Sequence, residues 1–518
     1  MARKGSRKVR TGCRTCKARK VKCDEGKPQC SRCMNTGRTC DGYASKPASG
    51  LLWHRPRQLF YSVDSAGEGR ALQFFSDVAG PLLSGATDPY FWTHLVMQFS
   101  NFEPAVRHCV VAISSLYEQL HTEAATSAAP RPAAARLKDN SLALQHYNAA
   151  IRELKTTENQ PLVLLVCILF ICIEFLQFNR EEAIRHCKHG IALLGNVNYS
   201  WAKEHLVPVF RRLSIFPFFF GWGSLEFPDL DALDEPVPES FESFSEAQSA
   251  IDSIASRTLQ VVRWGDTYRF GSARHQKVPL KLLAEREEVG ALLDRWQAAF
   301  ENLDTKATLP RAAAPEHCGL SEARIRAMSR TILAVRYEVC RIWLAIAFDG
   351  SEMCYDEHLG AFRRIRELCR GLCAAAPEAS RKAKRGPRFV FETGLLPMLH
   401  FVATKCRDLE MRLEALRLIR VLGAPRENLW EADQMFVLAR RVVEIEHDIV
   451  VDALGRPAAP PPRPGPPPDE KRVRYTLTEP DASAHVKWNG KELRGWAVGF
   501  VMRTLKDEIV VQKEFATS

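Results

Sequence analysis

The stretch Gly12-Cys13-Arg14-Thr15-Cys16-Lys17-Ala18-Arg19-Lys20-Val21-Lys22-Cys23-Asp24 is followed by Lys27-Pro28-Gln29-Cys30, then by Cys33 and Cys40. Its cysteines run C-x2-C-x6-C-x6-C-x2-C-x6-C, so the pattern C-x2-C-x6-C occurs twice. A structural zinc site takes four ligands, and thiolate is its favoured donor. Two zinc ions need eight ligand positions, which six cysteines supply when two of them bridge. Cys13 and Cys30 are the equivalent members of the repeat and are expected to bridge. Cys16 and Cys23 then complete one ion, and Cys33 and Cys40 the other. Six thiolates outweigh two Zn²⁺ in charge, so nearby cations and backbone N–H donors must offset the excess. A segment this short buries too little apolar surface to fold alone, and the metal must supply the stability. A disulfide-stapled module or a single zinc with spare cysteines fits the five concordant spacings less well.

Charge is concentrated at the same end. Met1 to Tyr43 holds thirteen Lys/Arg and three Asp/Glu, a net of +10, while the whole chain is +11. A basic head on a nearly neutral body points to a polyanion bound by the head. The start of the chain has no apolar stretch of signal-peptide type. The most apolar run, Leu162 to Ile173, is interrupted by Glu174 and suits a buried helix better than a membrane span. The expectation is a soluble intracellular protein, where cysteines stay reduced and available to metal. Ten further cysteines, among them Cys109, Cys167, Cys172 and Cys340, read as small core hydrophobes.

On these residues, with Cys40-Asp41-Gly42-Tyr43, the chain resembles the fungal binuclear zinc cluster transcription factors. The resemblance implies two zinc ions, a short helix and an extended strand in each half, Pro28 in the joining loop, double-stranded DNA as partner and a nuclear location. The halves differ in charge. The first carries Lys17, Arg19, Lys20 and Lys22 after Cys16, whereas the second carries only Arg38 after Cys33. The first helix is therefore expected to enter the major groove, where a donor can reach guanine O6 and N7. Lys20 and Arg19 are the candidates for that contact. The resemblance puts base contacts at Lys20 and a CGG-type triplet as target. Arg14, Lys17, Lys22 and Arg38 are expected on phosphates, giving affinity and salt dependence with little sequence preference. Arg3, Lys4, Arg7, Lys8 and Arg10 read as an import signal and phosphate arm.

From about Arg70 to Ala453 the apolar spacing is helical, as in Val106, Val110, Ile113 and Leu116, or Leu144, Tyr147, Ile151 and Leu154. Parts of this region resemble the family's helical regulatory domain: Trp92 to Leu116, Phe241-Glu242-Ser243-Phe244, and Cys406-Arg407-Asp408 with Arg412, Trp430 and Glu444-Ile445-Glu446. That resemblance implies a regulatory body, which in some relatives senses a small molecule. No sustained apolar heptad runs between Ala44 and Ser84, so pairing through an adjacent coiled coil has no support and dimerisation through the body stays open. His186 and His189, at i and i+3, are read as an ordinary helix face before a metal pair. The acidic, aromatic segment Leu225 to Glu246 is read as a docked loop before an activation segment. Arg381 to Arg388 fits a solvated loop or a second import signal.

The tail opens with a proline-rich linker. Val473 to Thr478 and His485 to Trp488, the latter before Asn489-Gly490, read as strands and a hairpin. No phosphate-binding glycine loop or nucleophile elbow occurs, so no enzymatic activity is expected. The expected fold is mostly all-α, a small N-terminal Zn2Cys6 cluster plus a large helical domain and a short β-containing tail. The expected boundaries are a basic arm at 1–10, the cluster at 11–43, a linker at 44–68, the helical domain at 69–453, a Pro-rich linker at 454–471 and the tail at 472–518. The function expected is a sequence-specific DNA-binding regulator working with the transcription machinery. The alternative is a receptor whose helical domain binds a small molecule and gates the bound protein.

Overall fold

Spacing by thirds and fourths produces helices through most of the chain, and the strands are short and gathered near its end. The computed structural model describes residues 11–43, 65–86, 89–125, 140–194, 199–216, 219, 230, 236–303, 322–374, 388–478, 485–488, 491–494, 496–504 and 508–516. The basic arm, most of the expected linker, residues 225–229 and 231–235 of the acidic segment and residues 381–387 lie outside them. The chain divides into two compact units, Met1–Tyr61 and Ser62–Ser518. The first contains helices α1 (Arg14–Ala18) and α2 (Ser31–Met34). The second opens with α3 (Ala66–Phe74), capped by Ser65, whose hydroxyl accepts from the Glu68 N–H at 3.2 Å.

The apolar run of the sequence becomes the helix Gln160–Gln177. Asn159 caps its start and Phe178 ends it in the left-handed conformation. By length and composition this helix could cross a membrane, but sixteen of its eighteen residues are buried inside the body. A helix apolar all round belongs in a core. Its one charge, Glu174, accepts a bond from the Tyr147 hydroxyl at 2.6 Å. The Pro104–Ala125 helix buries Val106, Val110, Ile113 and Leu116, the predicted stripe. In the Ser141–Leu154 helix the buried residues are instead Ala143 and Ala150, while Leu144, Tyr147, Ile151 and Leu154 are half-buried beside them.

Phe241 and Phe244, at the end of the acidic segment, are buried, and Phe241 packs on Trp296 with centroids 6.1 Å apart. Ser243 caps the long Phe244–Arg269 helix by accepting from the Glu246 N–H at 3.1 Å, and the Glu246 carboxylate accepts from the Glu242 N–H at 2.8 Å. This helix packs against Glu322–Ala345. At Gly265 an added Cβ would lie 1.9 Å from the Ala347 carbonyl oxygen, so the crossing requires glycine.

The tail belongs to the second unit. Strands β1 (Arg426–Glu427) and β2 (Trp430–Glu431) form a small ladder within the helical region. Strands β3 (Tyr475–Thr478), β6 (Trp496–Arg503) and β7 (Ile509–Ala516) form an antiparallel sheet in the order β3-β6-β7. Val473, Val498 and Phe500 join the core built by the helices Leu396–Lys405, Leu409–Leu422 and Ala432–His447. Strands β4 (His485–Trp488) and β5 (Lys491–Arg494) pair as the expected hairpin, whose turn residues 489–490 lie outside the described set. The proline-rich stretch is tied down by contacts that include a bridge between Val451 and Pro457 and Arg472 Nε donating to Pro467 O at 2.8 Å.

Buried charges latch this tail to the helices. Glu446 accepts from Arg412 Nη1 at 2.6 Å and from the Val473 N–H at 2.7 Å, and it pairs with Arg407 Nε at 3.2 Å. Glu352 takes Lys405 at 2.9 Å and Arg407 at 2.8 Å. Arg472 holds Asp356 with two bonds of 2.9 and 2.7 Å.

Two histidines make the body acid-sensitive. Burial holds His400 down at about 4, opposed by its contact with Met435 O, and burial together with the Arg412 charge holds His447 at about 4. An unfolded histidine titrates near 6.5, so between pH 6.5 and 4 the unfolded chain binds more protons. The contribution of these two histidines is complete above pH 6.5 and is expected to fall by about 2 kcal/mol or more as the pH drops through that window, partly offset by Glu427, whose carboxyl burial raises to about 7. Denaturant midpoints at pH 7.5 and 5 measure this, and the drop should be smaller in His400→Gln. Equal slopes in both proteins would show that His400 does not contribute.

Candidate metal centre and nucleic-acid interface

Each half of the cysteine repeat builds the same local structure. Cys13 is the N-cap of α1, its sulfur accepting from the Cys16 N–H at 3.3 Å, and Cys30 is the N-cap of α2, its sulfur accepting from the Cys33 N–H at 3.3 Å. The repeat therefore places its first cysteine, in each half, where a helix start offers N–H donors to a thiolate. The sulfurs gather into two quartets, Cys13, Cys16, Cys23, Cys30 and Cys13, Cys30, Cys33, Cys40, each with all atoms within 4.8 Å of one another. The quartets share Cys13 and Cys30, the pair to which the ligand count gives the bridging role. A tetrahedral site with Zn–S of about 2.3 Å sets its sulfurs about 3.8 Å apart. The separations Cys13–Cys30, Cys16–Cys30 and Cys13–Cys33 are 3.7, 3.7 and 3.8 Å, so the cysteines fit the ions they imply.

Burial pushes the Cys16 and Cys30 thiols up, a penalty on thiolate that a bound cation offsets. Burial also opposes ionisation at Cys23, but N–H groups of Cys13 and Glu25, both 3.4 Å from its sulfur, outweigh it and bring the thiol to about 7. When bound, the two zinc ions supply charge compensation and cross-linking.

Residues that the spacing did not single out hold the halves together. Asp24 caps α2, accepting from the N–H groups of Ser31 at 2.9 Å and Arg32 at 3.1 Å, bonds that lower its carboxyl to about 2. Thr15 and Asp41 clasp each other, Thr15 donating at 2.8 Å and accepting from the Asp41 N–H at 2.9 Å. The Tyr43 hydroxyl donates to Gly26 O at 2.6 Å, and at Gly12 an added Cβ would come within 2.9 Å of Cys23 Cβ. The signals for these roles were present as an acid seven residues before α2 and a threonine between the first two cysteines, but neither is diagnostic alone.

The six predicted DNA-contact residues lie as follows. Arg14 opens α1 and is exposed, and Lys17 is exposed in its last turn. Arg19 is the C-cap, half-buried, with Nη1 donating to Thr36 Oγ1 at 3.3 Å across the two halves. Lys20 lies just beyond α1 in a left-handed conformation, φ 55°, with its side chain exposed. Lys22 is exposed in the irregular segment after it, and Arg38 is exposed in the second half. Lys17, Arg19, Lys20 and Lys22 thus cluster at the C-terminal end of α1, where cations are favoured by the helix dipole. Arg32 is a further exposed cation, on α2, that the count after Cys33 left out. In the body, His186 packs on Phe170 with centroids 5.5 Å apart, and the pair His186 and His189 joins no metal-capable group among the described residues.

Residues 11–49 match the family model of the fungal Zn(2)-Cys(6) binuclear cluster domain. The chain is 24% identical to the aspercryptin biosynthesis cluster-specific transcription regulator of Emericella nidulans, over 84% of this chain and 87% of that protein. A transcription regulator of Purpureocillium lilacinum is 29% identical over 34% of this chain and 46% of its own length. The transcriptional regulatory protein moc3 of Schizosaccharomyces pombe is 50% identical over 18% of this chain and 19% of its own. The last two alignments span less than half of those relatives.

Proposed function

From a chain whose N-terminus is a fungal Zn(2)-Cys(6) binuclear cluster domain binding two zinc ions, and which is a DNA-binding transcription regulator and not an enzyme, we propose that the α1 half reads a CGG-type triplet in the nucleus. The observation that carries this reading is the cluster of cations at the C-terminal end of α1. Lys20 is the reader: its side chain is free to enter the major groove, while the Arg19 guanidinium is engaged with Thr36. Arg14, Lys17, Lys22 and Arg38 contact phosphates. The body acts on the transcription machinery, and a second copy, where one binds, pairs through the body.

Lys20→Ala is expected to lower the ratio of specific to random duplex binding by about 10- to 100-fold, the worth of one good base contact, with zinc content unchanged. Lys17→Ala should weaken both duplexes alike and reduce the salt slope by about 0.9. Titrations of both variants at several salt concentrations separate these effects, and an unaltered specificity ratio in Lys20→Ala would sink the reader assignment.

A second reading, that the body senses a small molecule, is favoured by a cavity of about 750 Å³ inside it. Trp343, Trp430, Phe401 and Phe270 give it aromatic walls, and His400 and Arg269 give it polar points. A cavity of this size, with mostly apolar walls and a rim of cations that includes Arg263, Arg336, Lys405 and Arg474, suits a drug-sized ligand that carries a polar or anionic group. Filling it with Leu259→Trp is expected to abolish saturable binding of 8-anilinonaphthalene-1-sulfonate in a protein that still unfolds cooperatively. Unchanged dye binding by that variant would argue against a ligand site here.

A further inference from the structure

Among the described residues, one metal-capable group lies outside the cysteine cluster. It consists of Glu68, His108 and His146, with one ligand atom from each within 4.8 Å of the others. The three residues come from three helices, α3, Pro104–Ala125 and Ser141–Leu154, and the latter two pack directly on each other. The Nδ1 atoms of His108 and His146 face each other at 2.9 Å, with ring centroids 5.0 Å apart and planes inclined at 57°. Glu68 is 1% exposed, and the two imidazoles are half-buried, so an ion can reach the group from solvent.

Two imidazoles that meet through the same nitrogen can share only one proton between them, and a buried carboxylate beside them adds negative charge with little water to solvate it. A divalent cation uses all three donors at once. Two histidines and one carboxylate are a familiar donor set for zinc and its neighbours in the first transition row, with a fourth position left for water. Tetrahedral ligation at a Zn–N distance of about 2.0 Å sets the nitrogens about 3.3 Å apart. The histidines would have to separate by only a few tenths of an ångström.

We propose that Glu68, His108 and His146 bind a divalent transition-metal ion, a third metal per chain, held by the helical body independently of the cysteine cluster. Glu68 lies in the first turn of α3, the helix that opens the second unit, so the ion ties the start of that unit to two of its longer helices. Metal binding that favours the folded state over the unfolded raises the melting temperature of the body.

The test uses the full chain with its cluster loaded with zinc. After equilibration with buffered free Zn²⁺, elemental analysis is expected to give about three zinc ions per chain, falling to about two in Glu68→Gln and in His146→Gln, with DNA binding unchanged. Co²⁺ added to the zinc-loaded protein should give weak visible bands of a nitrogen and oxygen site, without thiolate-to-cobalt charge transfer. The body should melt several degrees higher with Zn²⁺ and not with Ca²⁺, which prefers an all-oxygen site. Two zinc ions in the unaltered chain, or a cobalt spectrum of thiolate type, overturns the proposal. Should the variants not fold, the unaltered chain decides: no cobalt bands and no zinc-specific rise in melting temperature reject the site.

Discussion

Alanine at Cys30 is expected to cost the cluster both zinc ions and to abolish specific DNA binding, whereas alanine at Cys23 removes a ligand from one quartet only. The difference follows from membership. Cys30 and Cys13 belong to both sulfur quartets; Cys16 and Cys23 belong to one, and Cys33 and Cys40 to the other. Cys30 is also the N-cap of α2, so its loss exposes a helix start as well. Structural zinc contributes on the order of 10–16 kcal/mol to the folding of small metal-dependent domains. Among its described residues the first unit has no comparable apolar core to replace it, since the buried apolar side chains there are the cysteines themselves. Specific binding should therefore fall to the non-specific level, a loss of at least about 1,000-fold. Elemental analysis is expected to give close to zero zinc in the cluster of Cys30→Ala and an intermediate value for Cys23→Ala. The unfolding transition of the body serves as the control and should be retained, because the body is a separate compact unit with its own cores. A Cys30→Ala protein that keeps two cluster ions would show that the shared sulfur does not bridge.

The cluster was readable from the sequence because ligand chemistry restricts spacing more tightly than packing does. Sharing two sulfurs is the only way six cysteines give eight ligand positions; the repeat offers three equivalent pairs, and the two quartets share Cys13 and Cys30. The body was readable at the level of helices, since the stripe Val106, Val110, Ile113 and Leu116 has one period and one buried face. Its detailed contacts were not. Ala143 and Ala150 are the buried residues of their helix although neither stands out by hydrophobicity. Glu68, His108 and His146 are about forty residues apart along the chain, so no local pattern joins them, whereas His186 and His189 have a suggestive spacing and join no such group among the described residues. The cavity depends on how several helices and β3 meet, and that information is absent from any single segment. Arg407, Arg412 and Glu446 were visible as a resemblance without a physical reason. Local patterning assigns charged residues to the surface, and only the three-dimensional arrangement shows these three inside the protein.

That buried group gives the largest stability effect expected in the body. Glu446→Ala removes the carboxylate that faces both Arg412 and Arg407 and accepts the Val473 N–H. The Arg412 and Arg407 side chains are 0% and 1% exposed, so water cannot replace the lost partner. Arg407 keeps Glu352, but Arg412 keeps only the Ala403 carbonyl at 2.8 Å as a bonded acceptor among the described residues. Removing one partner of a buried ion pair costs about 3–5 kcal/mol, chiefly because the other charge stays buried and uncompensated. The exposed pair Arg420–Asp433 is the comparison: Asp433→Ala should cost about 1 kcal/mol or less, since both side chains already face water. Denaturant midpoints of the two variants against the unaltered chain measure the contrast. Because Glu446 also holds Val473 at the start of the tail, Glu446→Ala should speed proteolysis after residue 471 at denaturant concentrations where the helices remain folded. A cost below about 1 kcal/mol for Glu446→Ala would mean that the two arginines find other partners on relaxation, and that the tail is held by Val473, Val498 and Phe500 alone.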